Sequence, residues 1–175
     1  MADIIKADDI NKAVERIKRG QTFIYPTDTV CGIGCDAFNE AAVKRIFEIK
    51  KREQKPLSVA FADAAQLREF TGYETSKPPG AYTLILPRGK IPSYVTCGLD
   101  TVGARIPASP ILLKLIVALG PIITTSANLS GDPPAASFDK LPQSLKDSVD
   151  FIFDTQQRGS GKPSTIITSS GELLR

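Results

Sequence analysis

The chain has 175 residues, of which 42% are hydrophobic and 23% charged, and it carries a net charge of +3 at pH 7. That length favours a single domain over residues 1–175, that composition excludes a disordered chain, and that charge suits an anionic small ligand but is too mild to mark a nucleic-acid binder by itself. No apolar run reaches the roughly 20 residues that span a bilayer, and Met1-Ala2-Asp3-Ile4-Ile5-Lys6 lacks the basic start and apolar stretch of a signal peptide, so a cytoplasmic protein without a membrane partner is expected.

In chain order, Asp8 or Asp9 is placed to cap a helix that carries Ile10, Val14 and Ile17 on one face and ends at Gly20. Thr22 to Tyr25 is predicted as a buried strand stopped by Pro26. A helix from Asn39 turns Val43, Ile46 and Phe47 inward and Lys44, Arg45 and Lys51 outward. Leu57 to Phe61 is a strand, and Asp63 caps a short helix through Leu67 and Phe70. After a loop from Thr71 to Gly80, strands are expected over Tyr82 to Leu86 and Thr101 to Ile106. Ser109-Pro110 starts a helix that runs to Gly120. Pro121 to Thr125, Phe151 to Phe153 and Thr165 to Ile167 complete the strands, with Pro133-Pro134 in an internal loop. The alternation predicts an α/β fold around one sheet.

The chemistry is narrowed by what is missing. With no histidine, the chain has no Ser-His or Cys-His nucleophile pair and no imidazole metal site. Its three cysteines, Cys31, Cys35 and Cys97, are too few and too oddly spaced for a disulfide frame, and read as reduced, mostly buried thiols.

Polar side chains gather beyond the strand ends, where an open α/β sheet places its ligand. Tyr25 to Gly34 turns from strand to loop with two threonines and two glycines, a pattern that simple turn chemistry also explains. Lys50 to Lys55 sets four cations in six residues, either a solvated face or a phosphate clamp. Arg105 lies in an apolar strand and needs an anion, which a structural carboxylate or a substrate carboxylate supplies. Thr124 to Gly131 offers donors in a compact turn, suited to phosphate or ribose oxygens. Gly159-Ser160-Gly161-Lys162-Pro163 is not a P-loop, because Gln156 stands where glycine is required, Pro163 follows the lysine, and a strand rather than a helix comes next.

In order, Pro-Thr-Asp-Thr-Val-x-Gly, a basic stretch ending Lys-Pro-Leu-Ser-Val, Thr-Val-Gly-x-Arg-x-Pro, Thr-Ser-Ala-Asn-x-Ser-Gly and Pro-Ser-Thr-Ile run from residue 26 to 166. This series resembles the YrdC-type threonylcarbamoyl-adenylate synthase family, in its single-domain form. The resemblance implies a YrdC/RibB-like fold: a twisted mixed parallel/antiparallel sheet flanked by helices, with a concave, positively lined pocket. It implies an enzyme, a nucleotidyltransferase that joins L-threonine, bicarbonate and ATP, with Mg2+ carried by ATP, into threonylcarbamoyl-AMP and pyrophosphate. Downstream threonylcarbamoyl transferase proteins then modify the adenosine beside the anticodon of tRNAs that read ANN codons.

By position, the resemblance places Thr29, Arg105, Thr124 and Ser164 on threonine, with Arg105 on its carboxylate. It places Arg52, Lys55, Thr101, Ser126 and Arg175 on ATP, with Lys50 and Asn128 supporting the same pocket. No residue is implied as an acid or base, and no metal ligand from the chain. Cys31 stands where many relatives carry tyrosine, Ala60 where some carry histidine, and Thr168 where aspartate or asparagine is common. Arg52 and Lys55 stand one residue closer than the family spacing, which lets Lys51 take the arginine's place. Two other readings stay open: a non-catalytic double-stranded RNA or tRNA-binding module, which the 7% aromatic content and absence of tryptophan disfavour, and a relative that makes a different acyl adenylate.

Overall fold

The apolar runs and capping residues that mark most elements in the sequence form those elements in the protein, seen in a computed structural model that describes residues 2–51, 55–129 and 131–174. In chain order these are β1 (Asp3–Lys6), α1 (Ile10–Lys18), β2 (Phe23–Tyr25), β3 (Gly32–Gly34), α2 (Glu40–Lys50), β4 (Ser58–Ala60), α3 (Ala64–Thr71) and β5 (Tyr82–Pro87). They continue with α4 (Ser93–Thr96), β6 (Thr101–Arg105), α5 (Pro110–Leu119), β7 (Ile122–Ser126), α6 (Gln143–Ser148), β8 (Phe151–Asp154) and β9 (Thr165–Thr168). Asn39 and Asp63 cap α2 and α3 as their sequence positions predict, accepting from the amides of Ala42 and Gln66. Asp9 does not cap α1: its backbone (φ −96°, ψ 36°) is not the extended conformation that aims a side chain at the first-turn amides. Ser109 sits at the start of α5 without a side-chain cap bond.

The nine strands form one sheet in the order β1-β8-β2-β3-β7-β4-β6-β5-β9. Pairs β1–β8, β2–β8, β4–β6 and β5–β9 are parallel, and β2–β3, β3–β7, β4–β7 and β5–β6 antiparallel. No helix among the described residues is long and apolar enough to cross a membrane.

Successive strand residues point to opposite faces, and the two faces bury different cores. Ile24, Ile33, Val59, Ala104, Ile123 and Ile152 join one with α2 and α3. Phe23, Tyr25, Ala60, Ile122, Phe151 and Phe153 join the other with Ala13 and Ile17 of α1 and Leu112, Leu115 and Ile116 of α5. Each fully buried phenylalanine contributes about 1.5–3 kcal/mol, and Phe23 stacks on Phe151 with ring centroids 5.4 Å apart.

Four elements were not expected from the sequence. β1 has only Ile5 buried, α6 only Leu145, and α4 is a single turn. β3 is Gly-Ile-Gly, and glycine is depleted in strands unless another group must come close. Here that group is the Tyr25 ring: a Cβ built on Gly32 would lie 2.7 Å from it, and one on Gly34 would lie 3.1 Å from it and 2.4 Å from the Ile123 carbonyl oxygen. Gly34→Ala is therefore expected to cost about 1–3 kcal/mol of stability by overpacking, read by urea denaturation; wild-type stability would show that nothing presses on β3.

Candidate functional site

A cavity of about 320 Å3 opens on the sheet face that carries Tyr25 and Phe23, beyond the part that α1 and α5 cover. Strand pairing sets Thr124 and Gly103 on either side of Ser58, all on that face, and Arg105 two residues along β6. The row is shallow because its side chains are small; a Cβ on Gly103 would stand 2.6 Å from Ser58 Oγ. Thr29 and Ser164 reach the same cavity from loops, and Thr83 Oγ1 lies 3.0 Å from Ser164 Oγ.

Arg105 is the cation of this floor and is buried, with a side-chain exposure of 8%. Its Nη2 donates to Asp28 Oδ1 at 3.0 Å and more weakly to Asp28 Oδ2 and the Gly80 carbonyl, both at 3.4 Å. Nη1 donates to Thr29 Oγ1 at 3.4 Å, and Nε is buried without a partner among the described residues. The anion that an apolar strand requires for an arginine is thus supplied within the protein by Asp28, while Nε keeps a donor unspent.

The hydroxyls of the site have defined polarity. Tyr25 Oη, fully buried, donates to Thr124 Oγ1 at 2.9 Å. Thr27 Oγ1 donates to the Val30 carbonyl at 2.7 Å and accepts from the Thr29 amide at 3.0 Å. Since that proton is committed, the 3.0 Å contact between Thr27 Oγ1 and Thr29 Oγ1 is Thr29 donating, which leaves the Thr29 lone pairs to face Arg105.

At the rim, Ser126 Oγ donates to Asn128 Oδ1, and Asn128 Nδ2 donates to the carbonyls of Leu129 at 3.0 Å and Asp132 at 2.6 Å. Beneath them Lys50, 2% exposed, donates from Nζ to the Ser126 and Asn128 carbonyls and to Asn128 Oδ1. Opposite, Gly159-Ser160-Gly161 straps the Asp28–Thr29 backbone: the amides of Ser160 and Gly161 donate to the carbonyls of Asp28 and Thr29 at 3.0 and 2.8 Å. A Cβ on Gly159 would lie 2.2 Å from the Thr29 carbonyl oxygen, so that glycine is required by contact. The segment leads into β9, a strand, as expected of a sequence that is not a P-loop.

Thr29, Arg105, Thr124, Ser126, Asn128 and Ser164 therefore line one cavity. Lys50 is neither on a solvated face nor at the cavity wall, because it is turned inward by the last turn of α2. Lys55 and Thr101 are exposed and stand outside the cavity lining, Thr101 on the same face of β6 as Gly103 and Arg105. Arg52 and Arg175 lie outside the described residues. Among the described lining residues Arg105 is the one cation, it is paired with Asp28, and the rim carries Asp132. Tyr25, Asp28 and Thr83 were missed as individual site residues; for the first two, the polar segment from Tyr25 to Gly34 was the available signal.

Replacing Lys50 with methionine removes the donor from three part-buried oxygens, and is expected to cost about 1–3 kcal/mol, measured as a lower urea midpoint with loss of ligand binding at the cavity. An unchanged midpoint would overturn the clamp.

Cys31 and Cys35 are buried and Cys97 is exposed. Burial, with Asp139 adding to it, pushes the Cys31 thiol from its ordinary 9.0 up to about 11, and burial raises Cys35 further. Burial likewise lifts the Tyr25 phenol from 10.0 to about 12. These groups hold their protons in the fold where the unfolded chain releases them, so their contribution is intact below the ordinary values and is lost as pH rises from about 9. The thermal midpoint should fall between about pH 9 and 11, and a thiol reagent at neutral pH should modify Cys97 alone, with all three cysteines reacting in denaturant.

The Sua5/YciO/YrdC family model, described as "Telomere recombination", matches residues 15–175. A threonylcarbamoyl-AMP synthase of Xanthomonas euvesicatoria pv. vesicatoria is 35% identical over 95% of this chain and 97% of its own. One of Bacillus subtilis is 36% identical over 94% of this chain and 51% of its own. Among solved structures, P. abyssi Sua5 complexed with L-threonine superposes with a TM-score of 0.83 at 32% identity, over 100% of this chain and 57% of that one. E. coli YciO superposes with a TM-score of 0.85 at 27% identity, over 100% of this chain and 95% of that one. The chain thus spans little more than half of the Sua5 and B. subtilis proteins and nearly all of the other two. The protein belongs to the Sua5/YciO/YrdC family.

Proposed function

We propose that the protein is an L-threonylcarbamoyladenylate synthase, which makes threonylcarbamoyl-AMP and pyrophosphate from L-threonine, bicarbonate and MgATP. The observation that carries this reading is the convergence of Thr29, Arg105, Thr124 and Ser164, from four separate segments, on one cavity. The 35% identity with a threonylcarbamoyl-AMP synthase over 95% of the chain gives independent support.

In this reading the Arg105 guanidinium, held at Nη2 by Asp28, meets the threonine carboxylate at the cavity floor. The hydroxyls of Thr29, Thr124 and Ser164 surround the rest of the amino acid. ATP lies toward Ser126 and Asn128 and extends past Thr101, with Lys55, Arg52 and Arg175 as counter-charges; Lys50 supports it from beneath through the Ser126 and Asn128 carbonyls.

The threonine amine takes up bicarbonate with loss of water to give a carbamate. A carbamate oxygen bonds to the α-phosphorus of ATP as the bond to the β-phosphate breaks, and pyrophosphate leaves with its magnesium. Such a transfer depends on positioning and on neutralising charge on the phosphates, so a chain without histidine is equipped for it. The product then passes to transferases that place the threonylcarbamoyl group on tRNA. The 7% aromatic content and absence of tryptophan give the alternative, an RNA-binding module, few platforms for base stacking.

Pyrophosphate release in the presence of MgATP and bicarbonate should depend on L-threonine. Arg105→Lys keeps the charge beside Asp28 but loses the guanidinium fork; it should raise the threonine KM by roughly 10- to 150-fold, equivalent to about 1.5–3 kcal/mol for a hydrogen bond to a charged group, and leave the ATP KM near wild type. Release driven by a different amino acid would reassign the substrate, and retention of tRNA without any release would favour the module.

A further inference from the structure

Thr124 meets the cavity with one side of its hydroxyl already occupied. Tyr25 Oη donates to Thr124 Oγ1 at 2.9 Å and makes no other hydrogen bond among the described residues. A threonine hydroxyl has one proton and two lone pairs. With the phenol on one lone pair, and no acceptor for the Thr124 proton among the described residues, that proton is left to a ligand in the cavity. Thr29 has the reverse arrangement: it donates to Thr27 and shows lone pairs to Arg105.

We infer that Tyr25 is a positioning residue: its phenol obliges Thr124 to donate to an oxygen of the amino-acid substrate, which sets the way round that substrate lies. The inference rests on the amino-acid reading of the cavity proposed above. Three further observations support it. The phenol reaches β7 only because β3, which lies between, has glycine at residues 32 and 34; a Cβ on Gly32 would stand 3.0 Å from the Tyr25 hydroxyl oxygen itself. The ring is wedged against Phe23, with centroids 5.0 Å apart, so the hydroxyl has one place to point. Burial keeps the phenol protonated, and therefore a donor, through neutral and mildly alkaline pH.

Tyr25→Phe keeps the ring on the glycines and removes only the donor. Calorimetric titration of the full chain should show L-threonine binding about 10-fold more weakly in this variant, with ATP binding unchanged. In a Thr124→Val background, which has already lost the hydroxyl, adding Tyr25→Phe should cost nothing more, whereas a merely structural role for Tyr25 would make the two losses additive. Thr124→Ser, which restores the hydroxyl, should bind threonine close to wild type. Additive losses, or wild-type threonine affinity in Tyr25→Phe, would overturn the inference alone. No threonine binding by the wild type would overturn the amino-acid reading and the inference with it. Should Tyr25→Phe fail to fold, the Thr124 variants decide: threonine affinity retained in Thr124→Val overturns the inference, and affinity lost in valine but kept in serine sustains it.

Discussion

The ammonium of Lys50 sits under the end of the central strand, and the geometry of the site depends on it. β7 pairs with β3 on one side and β4 on the other, and its ladder runs out at Ser126. Beyond that point the carbonyls of Ser126 and Asn128 turn inward, where an unpaired acceptor costs about 1–3 kcal/mol. Lys50 satisfies both, and Asn128 Oδ1 as well. A buried charge loses its hydration, which several close oxygens must offset; the same oxygens define where the strand ends. Asn128, fixed this way, reaches on to the Asp132 carbonyl and holds the rim. The charge is thus structural, and it also lies directly beneath the residues proposed to meet the nucleotide.

The concavity comes from missing side chains more than from a gap between elements. Gly32 and Gly34 leave room for the Tyr25 ring to lie across β3, Gly103 leaves room for Ser58, and Gly159 lets the strap close on the Thr29 carbonyl. Each is a place where one group must approach another more closely than a Cβ permits. These glycines come from three separate segments of the chain but act on one outcome, a flat polar floor with hydroxyls at its edges.

Legibility in the sequence followed the type of signal. β2, β4 and α5 are apolar runs, and Asn39 and Asp63 are caps with their own acceptor chemistry; these were readable because the information is local. β3 was not, because two of its three residues are glycines whose reason for being there, the Tyr25 ring, is a pairing with another strand. The run from Lys50 to Lys55 looked uniform, yet helical phase separates Lys50, facing inward, from Lys51, whose left-handed backbone (φ 47°) ends the helix. Arg105 announced the need for an anion but not that Asp28, 77 residues earlier, would meet it. The common cavity of Thr29, Arg105, Thr124 and Ser164 was legible only through the order of motifs that marks the family, since no single motif specifies where the others fold.

The pairing of Arg105 with Asp28 also explains why the cavity floor is close to neutral. A zwitterionic amino acid brings an ammonium and a carboxylate a few ångströms apart, and a floor dense in cations would repel the first while binding the second. One guanidinium already balanced by a carboxylate avoids that conflict: it gives directed N–H donors with little net field. A nucleotide's phosphates need the opposite, a surplus of positive charge. The two demands are compatible in one pocket only if the cations stand away from the amino-acid end. Among the described residues Lys50 lies beneath the far rim and Lys55 stands outside the lining. The balanced, hydroxyl-bearing floor around Arg105 therefore suits the amino acid of the proposed reaction, and the phosphates of its nucleotide are left to cations outside that floor.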